Sequence, residues 1–371
     1  MANRKVLVAM SGGVDSSVTA ALLKNQGFEV TGVFMINWRE KERDKECEWQ
    51  KEYLDVRRVA AKLDIKLYTW DFSKEYKDQV FKYFVKAYET GLTPNPDTLC
   101  NKYIKFGVFL DKALSLGFEL VATGHYGRIQ KQKNKKTKKQ NEYKLITAKD
   151  KSKDQTYFLY ELGQKQLAHI LFPLGDYNKK DVRKMAQEFK LPVSHKKDSY
   201  GICYIGEKKM KDFLANYIKK KTGEIIDKKG KILGKHSGLH NYTIGQRQGI
   251  GIGGIGPFYD LKKDFKNNKL VVTDKADDEE LFSKEVILRD INFIAGQKPA
   301  FPLKCNVRFR HLQNLVKAKI FEEGRSIKVI FNKPQKAVVP GQVIVFYKRL
   351  NLLSKDFEVL GGGVIINSPN F

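Results

Sequence analysis

The sequence predicts an α/β protein with a doubly wound parallel sheet, followed by a small central domain and a C-terminal antiparallel β-barrel. Apolar runs alternate with amphipathic helical segments through the first third of the chain, as in a parallel sheet with crossover helices. A glycine-rich turn follows the first of these runs. Beyond residue 281, glycine and proline turns separate short apolar runs, which indicates a barrel. We expect domains at 1–206, 207–280 and 281–371, because 371 residues exceed one compact core.

Residue spacing defines the first strand and the first helix. Residues 6–10 form an apolar run typical of a buried strand, and Val18, Ala21 and Leu22 then recur at helical i, i+3, i+4 spacing. The two adjacent glycines between them permit a tight turn that approaches a ligand, and the free N–H groups at the helix start favour an anion. We predict a phosphate-binding turn. The alternative is an ordinary strand-to-helix turn with serine caps.

Further strands and helices follow in alternation. The predicted strands of the sheet are residues 29–35 and 66–70, and residues 120–125 give a further strand that ends in a polar turn. The predicted helices are residues 55–63, 76–88 and 181–189. The predicted strands of the barrel are residues 316–320, 327–331 and 343–346. Because doubly wound sheets bind ligands beyond the carboxyl ends of their strands, we expect a nucleotide pocket at that edge.

The first glycine turn is neither of the two commonest nucleotide loops. It lacks the Gly-Lys-Ser/Thr of a Walker loop and the three spaced glycines of a dinucleotide loop. A second glycine-rich stretch, residues 248–254, is rejected as a dinucleotide loop, because Pro257 follows it and no strand and helix flank it.

The charge balance favours a polyanionic partner. Lysine and arginine number 69 against 42 acidic residues, a formal net charge of +27. Nucleic acid is the first candidate, although a lysine-rich proteome would give the same excess. Residues 131–140 form a basic tract, which we interpret as a solvated hairpin tip in preference to a specific RNA contact.

Four cysteines lie far apart, at positions 47, 100, 203 and 305. Because no Cys-x-x-Cys pair is present, we predict no structural zinc site and no resident metal. Cys47 and Cys305 are interpreted as structural residues.

Two cysteines lie in polar surroundings that favour a reactive thiolate. Asp97 is predicted to cap a helix that reaches residue 106, with Cys100 in its first turn, where the helix dipole lowers the pKa of a thiol. Cys203 lies between glycines and follows two lysines, a setting that also favours the thiolate.

We predict no targeting peptide, because the chain runs almost directly into its first strand. No apolar run approaches the length of a membrane span. We therefore expect a cytoplasmic protein without membrane contact.

Six motifs together resemble the bacterial tRNA 2-thiouridylase family of the ATP pyrophosphatase superfamily. They are SGGVDSS (residues 11–17), NPDTLCNKYIKFG (95–107), ATGHY (122–126), KDQTYFLY (153–160), KKDSYGICYIGE (196–207) and YTIGQRQGIGIGG (242–254). The first alone would fit many ATP pyrophosphatases, and the two cysteine motifs make the resemblance specific. It extends over nearly the full chain.

The resemblance implies roles for specific residues. An ATP site is implied at Ala9, Met10, Ser11, Gly12, Gly13, Val14, Asp15, Ser16, Met35 and Gly124. Contacts with tRNA are implied at Asn95, Pro96, Asp97, Lys153, Asp154, Gln155, Arg308 and Phe309. Of these, Asp97 is the implied general acid/base beside the target base. Cys203 is the implied persulfide carrier, and Cys100 is its partner nucleophile.

The implied reaction replaces the C2 oxygen of the wobble uridine by sulfur. ATP adenylates that oxygen and releases pyrophosphate into the glycine turn, while Mg²⁺, held in part by Asp15, neutralises phosphate charge. Sulfur from a Cys203 persulfide then attacks C2, and Cys100 breaks the S–S bond, leaving a Cys100–Cys203 disulfide. We expect a loop to move so that the two sulfur atoms meet.

The resemblance also implies partners and two departures from the family pattern. The partners are tRNAs for Lys, Glu and Gln, with a cysteine desulfurase or a small sulfur-carrier protein as donor. Tyr200 stands where threonine is expected, and Phe309 stands where tyrosine is usual. The alternatives are a synthetase that adenylates a small metabolite, and an RNA-binding protein with a vestigial nucleotide site. The cysteine pair argues against the first, and the intact glycine turn argues against the second.

Overall fold

The computed structural model describes residues 4–39, 48–133, 141–198, 213–252 and 257–367. The predictions for Cys47, Tyr200 and Cys203, and for most of the basic tract, concern residues outside these ranges.

The first domain is built on a five-stranded parallel sheet. The strands of this sheet are β1 (Lys5–Ala9), β2 (Glu29–Ile36), β3 (Lys66–Asp71), β4 (Leu120–Ala122) and β7 (Ile170–Leu171). Between β4 and β7 the chain forms a hairpin of two further strands, β5 (Arg128–Lys133) and β6 (Asn141–Ile146). The sheet order is β3-β2-β1-β4-β7, and every neighbouring pair is parallel. The carboxyl ends of these strands therefore share one edge.

Helices cover both faces of this sheet. They are α1 (Val14–Asn25), α2 (Glu48–Leu63), α3 (Ser73–Tyr76), α4 (Lys82–Glu89), α5 (Pro96–Leu99), α6 (Phe109–Ser115), α7 (Gln164–Leu167) and α8 (Lys179–Glu188). Two π-helical segments, Lys77–Phe81 and Cys100–Val108, join α3 to α4 and α5 to α6. Because strand residues alternate in direction, Val6 and Val8 pack with α1, α2 and α8, whereas Leu7 and Ala9 pack with the helices of the opposite face.

The central region, predicted without clear periodicity, contains four short strands. These are β8 (Gly223–Ile226), β9 (Ile232–His236), β10 (Tyr259–Asp264) and β11 (Lys269–Thr273), in the order β10-β11-β8-β9. Ile225, Leu270 and Val272 form its small core. The strands are only four to six residues long, too short for alternation to stand out against glycine and lysine.

Six antiparallel strands close the C-terminal barrel, which confirms that prediction. They are β12 (Phe282–Phe293), β13 (Leu303–Arg308), β14 (Val316–Glu323), β15 (Ser326–Lys336), β16 (Val343–Arg349) and β17 (Phe357–Asn367). Their order is β12-β15-β14-β13-β16-β17, and pairing of β12 with β17 completes the circle.

The hairpin β5–β6 of the first domain extends the sheet of the barrel. Val359 of β17 pairs with Leu145 of β6, and Glu358 pairs with Ile146. The two strands that flank the basic tract are thus antiparallel partners, as expected for a hairpin. No helix within the described ranges is long and apolar enough to cross a membrane.

Candidate active site

The glycine turn connects the carboxyl end of β1 to the first turn of α1. Gly12 has a φ of +75°, and a Cβ there would lie 2.6 Å from the carbonyl oxygen of Glu52. A side chain at this position would therefore be strained as well as crowded. The Ser16 hydroxyl accepts a hydrogen bond from the Ser11 N–H at 3.1 Å, and no side chain caps α1 within the described ranges. Ser11 and Ser16 therefore stabilise the turn internally. The N–H groups at the start of α1, which no described side chain caps, can bind a ligand.

Gly124 brings a second strand end against the glycine turn. It follows β4, which pairs with β1, and a Cβ on Gly124 would lie 2.9 Å from the Asp15 carbonyl carbon and the Ser16 nitrogen. The hydroxyl of Tyr126, in the same turn, donates to Asp15 Oδ1 at 2.9 Å. Met35 lies near the end of the neighbouring β2. The structure thus gathers the residues of the predicted ATP site at one edge of the sheet.

Sequence reasoning missed the cations that surround this turn. Lys179 donates to both carboxylate oxygens of Asp15, at 2.7 and 2.8 Å, and lies 3.0 Å from Asp198. Arg183 and Lys153 also contact Asp198, at 2.6 and 2.8 Å. No local signal singled out Lys179, because the predicted helix began at residue 181, whereas α8 begins at Lys179 and so has a cation at its N-terminus.

A fourth cation reaches the glycine turn from the segment after α8. Lys196 donates to the Gly12 carbonyl oxygen at 3.1 Å and to Asp55 at 2.8 Å. We call Lys153, Lys179, Arg183 and Lys196 the cationic cluster. Its members are held by carboxylates here, and each offers N–H donors that suit phosphate oxygens.

The cationic cluster strongly favours the ionised form of Asp198. Burial alone raises the pKa of this carboxyl group, but hydrogen bonds from Lys153 and Lys179, together with their charges, lower it to about 2. Burial, and then the charge and hydrogen bond of Asp15, raise the pKa of Tyr126, so that its hydroxyl stays a donor. The site therefore keeps the Asp198 carboxylate charged next to the turn.

The structure corrects the predicted helix start near Cys100. The cap is Asn95, whose side-chain oxygen accepts from the N–H groups of Asp97 (3.1 Å) and Thr98 (3.3 Å), and Pro96 follows in the first helical position. Asp97 therefore lies inside the first turn. Cys100 follows that turn, and its N–H donates to carbonyl oxygens of the turn.

Cys100 lies in the apolar layer beside the predicted ATP site. Its exposed fraction is 0%, and it belongs to the same buried cluster as Ala9 and Met35. Cys100 thus packs on the face of the sheet formed by Leu7 and Ala9 of β1. Cys203 lies outside the described residues.

Three of the predicted tRNA-contacting residues lie where the first domain meets the barrel. Asp154 is 1% exposed and accepts hydrogen bonds from the Ala148 N–H (3.0 Å) and from Arg308 (3.2 Å). Phe309 is 2% exposed and packs on Phe331 inside the barrel. In this structure Asp154 and Phe309 are buried at the junction, and their role toward tRNA remains a prediction.

Two further predicted contacts, Lys153 and Gln155, lie nearer to the nucleotide edge. The Gln155 side chain accepts from the Tyr126 N–H at 3.0 Å, and Lys153 belongs to the cationic cluster.

Cys305 lies in β13, where burial raises the pKa of its thiol to about 12. That thiol is protonated at neutral pH, which agrees with a structural role.

Comparison with known proteins identifies the family. Three family models match successive parts of the chain: a tRNA methyl transferase HUP domain (4–207), a tRNA methyl transferase PRC-barrel domain (211–274) and an aminomethyltransferase β-barrel domain (283–365). A protein of Alkaliphilus oremlandii named tRNA-specific 2-thiouridylase MnmA is 45% identical over 347 residues, 92% of this chain and 93% of that protein. The chain belongs to the tRNA-specific 2-thiouridylase family.

A second 2-thiouridylase matches over almost the whole chain, and the solved structure of a tRNA thiolase aligns with about half of it. The tRNA-specific 2-thiouridylase MnmA 1 of Geobacillus kaustophilus is 47% identical over 371 residues, 99% of this chain and 96% of its own. The U34-tRNA thiolase NcsA of Methanococcus maripaludis, a solved structure, aligns with 55% of this chain and 63% of its own at 16% identity and a TM-score of 0.36. Membership in the 2-thiouridylase family confirms the resemblance seen in the six motifs.

Proposed function

We propose that this chain catalyses the ATP-dependent 2-thiolation of the wobble uridine of tRNA. One observation supports this most directly: Cys100 packs in one buried cluster with Ala9 of β1 and Met35 of β2, two residues of the predicted ATP site. The proposed sulfur nucleophile therefore lies in the same apolar layer as the ends of the strands that carry the predicted nucleotide site. Relatives named for this activity share 43–47% identity with the chain.

In the first step, adenylation of the uridine C2 oxygen creates a leaving group. The N–H groups at the start of α1 bind the departing pyrophosphate, and Lys179 exchanges Asp15 for phosphate oxygens. The freed carboxylate of Asp15, with Asp198 nearby, suits Mg²⁺, which prefers oxygen ligands and phosphate. When bound, Mg²⁺ supplies charge neutralisation at the phosphates.

In the second step, sulfur replaces the activated oxygen. The terminal sulfur of a Cys203 persulfide attacks C2, and AMP leaves with the C2 oxygen. The Cys100 thiolate attacks the Cys203 sulfur and forms a Cys100–Cys203 disulfide, which a reductant must open before the next turnover. Asp97 acts as the general acid/base that transfers the proton at the uracil base. Since Cys100 is 0% exposed, this step requires the turn to open.

The substrate must leave the anticodon stack to reach this edge. The net charge of +27 suits a polyphosphate backbone. We expect tRNAs for Lys, Glu and Gln as substrates, a cysteine desulfurase or small sulfur carrier as donor, and a reaction in the cytoplasm, where tRNA is found.

The test is reconstitution with unmodified tRNA, ATP, Mg²⁺ and either sulfide or a persulfide donor. Thiolated uridine should form with both sulfur sources, and Cys203→Ser should abolish the reaction with the persulfide donor. Cys47→Ser is the matched control and should retain it. Pyrophosphate release without tRNA and without thiouridine would favour a small-molecule synthetase instead. Equal activity of Cys203→Ser and the wild type with the persulfide donor would contradict the sulfur relay.

A further inference from the structure

The short segment between α4 and α5 is held by the central domain. Lys263 of β10 donates to the carbonyl oxygens of Gly91 (2.6 Å) and Tyr242 (2.9 Å), and it is only 8% exposed. The ring of Phe265 lies so close to Gly91 that a Cβ on Gly91 would be 2.2 Å away. Gly91 has a φ of +85°, so backbone conformation and contact both specify glycine.

The barrel holds the same segment from its other end. The Thr93 N–H donates to the Pro340 carbonyl oxygen at 3.0 Å, and the Gln342 side-chain amide donates to the Thr93 carbonyl oxygen at 2.7 Å. Gly341 has a φ of +89°, and a Cβ there would lie 2.7 Å from the Thr93 nitrogen. The backbone of Thr93 is thus paired on both sides by one turn of the barrel.

These contacts lie directly before the cap of the turn that carries Asp97 and Cys100, which we call the catalytic turn. Asn95 caps the helix two residues after Thr93, and the turn continues to Cys100. α5 continues directly into the π-helical segment Cys100–Val108, so the N-terminal end of this helix is the end that the 91–93 segment can fix. A lysine is costly to bury, and an apolar side chain would fill the space of Lys263 without offering two hydrogen bonds.

We propose that Lys263 and Gln342 are positioning residues: the central domain and the barrel, through the 91–93 segment, hold Asp97 and Cys100 in place. The first domain then supplies the reacting groups, and the central domain and the barrel (the two outer domains) fix their positions. A substrate that contacts either outer domain would therefore also affect the position of the catalytic turn. The roles of Asp97 and Cys100 in this inference rest on the proposed function.

The first experiment measures the accessibility of Cys100 and needs no activity. In a background with Cys47, Cys203 and Cys305 replaced by serine, Cys100 is alkylated by iodoacetamide under native conditions. Loss of one anchoring hydrogen bond should raise the labelling rate about tenfold. The test variants are Lys263→Met and Gln342→Met, either of which decides if the other fails to fold.

The matched controls both lie in the barrel, in β12 and β15. Lys284→Met removes an exposed lysine that donates to the Asn332 carbonyl oxygen, and Gln335→Met removes an amide that donates to neighbouring carbonyl oxygens. Both should label at the parental rate. Circular dichroism and ATP binding verify that each variant is folded. Test variants that label no faster than the controls would overturn the inference.

The second experiment uses the native cysteines and separates positioning from binding. With sulfide as sulfur source, kcat for thiolation should fall about tenfold in Lys263→Met and Gln342→Met, while KM for ATP stays unchanged, because the glycine turn is not touched. Equal loss in the controls would overturn the inference. If the wild type makes no thiouridine but the labelling result holds, the proposed function fails and the positioning role stands.

Discussion

Lys179 lies where two carboxylates converge, and in the proposed function its amine exchanges one of them for the phosphates of the nucleotide. It pairs with Asp15 in the glycine turn and with Asp198 from the segment after α8. Both carboxylates have other positive partners or a hydrogen-bond donor at hand, since Tyr126 contacts Asp15 and Arg183 contacts Asp198. Lys179 can therefore leave them without stranding a bare charge.

Replacing Lys179 by methionine should slow tRNA-dependent pyrophosphate release by about 10- to 100-fold, the range for losing a charge-assisted hydrogen bond. Initial rates at saturating ATP, with release of labelled pyrophosphate, measure this. Lys180→Met is the control, because Lys180 is the exposed neighbour on the same helix. Unchanged release in Lys179→Met would show that its amine does not meet the phosphates.

Asp198 should make folding stability depend on pH in an acidic window. Its folded-state pKa of about 2 lies below the ordinary value of 3.8. The carboxylate therefore stabilises the fold above pH 3.8, and the contribution is lost as the pH falls toward about 2. Relative to Asp198→Asn, the wild type should be about 1–2 kcal/mol more stable at pH 6.

Urea unfolding at pH 6, 4 and 3 measures this difference between the wild type and Asp198→Asn. The gap should narrow as the pH falls. Asp64→Asn serves as control, because the side chain of Asp64 is fully exposed and its nearest cation lies 3.9 Å away, and exposed pairs contribute little. A gap that is constant across this range would contradict the charge network described for Asp198.

At the scale of elements, the start of the catalytic turn depends on one side chain. The Asn95 side chain accepts hydrogen bonds from two backbone N–H groups, and Pro96 fixes the φ angle of the first helical position. Asn95→Ala should lower the free energy of unfolding by about 1 kcal/mol, whereas Asn95→Asp should retain most of it, since aspartate caps equally well. Urea denaturation measures both. Equal stability of all three proteins would show that the cap contributes nothing.

The same element shows where sequence reasoning succeeded and where it failed. Four strands of the parallel sheet were predicted to within a few residues because buried parallel strands are continuous apolar runs, whereas the two-residue strand β7 was missed. The cap was placed at Asp97 because aspartate and asparagine are equally good caps, and spacing alone does not choose between Asn95 and Asp97. The structure chooses Asn95, since Pro96 favours the first helical position.

The cationic cluster could not be assembled from the sequence for a different reason. Lys153, Lys179, Arg183 and Lys196 come from separate segments and meet only through the fold, among 69 basic residues that look alike. The glycine turn, by contrast, is local, so its residues predict its shape. The burial of Phe309 inside the barrel was likewise invisible in the sequence.

At the scale of the molecule, charged pairs join the first domain to the barrel. Asp356 accepts from Arg128 and Lys151, both at 2.7 Å, and Glu358 pairs with Lys144 at 3.0 Å. These pairs flank the strand contact between β6 and β17. They are partly buried, so they are screened less by salt than exposed pairs are.

Asp356→Asn should destabilise the protein by about 1 kcal/mol, because two partly buried cations lose their shared carboxylate. Calorimetry at low and at high salt checks this, and the loss should be smaller at high salt. Asp227→Asn, in a turn of the central domain, is the control for changing one acidic residue away from this junction. The same loss in the control would remove the argument for a specific junction.

The strand contact between β6 and β17 also decides how the chain can be divided. A fragment that ends before the barrel would leave β6 with one unpaired edge, and an isolated barrel would lose the partner of β17 at Glu358 and Val359. Exposed strand edges invite pairing with other copies. Expression of either part alone should therefore yield aggregation-prone protein. Cutting the chain between the first domain and the barrel would not give two fragments that fold independently.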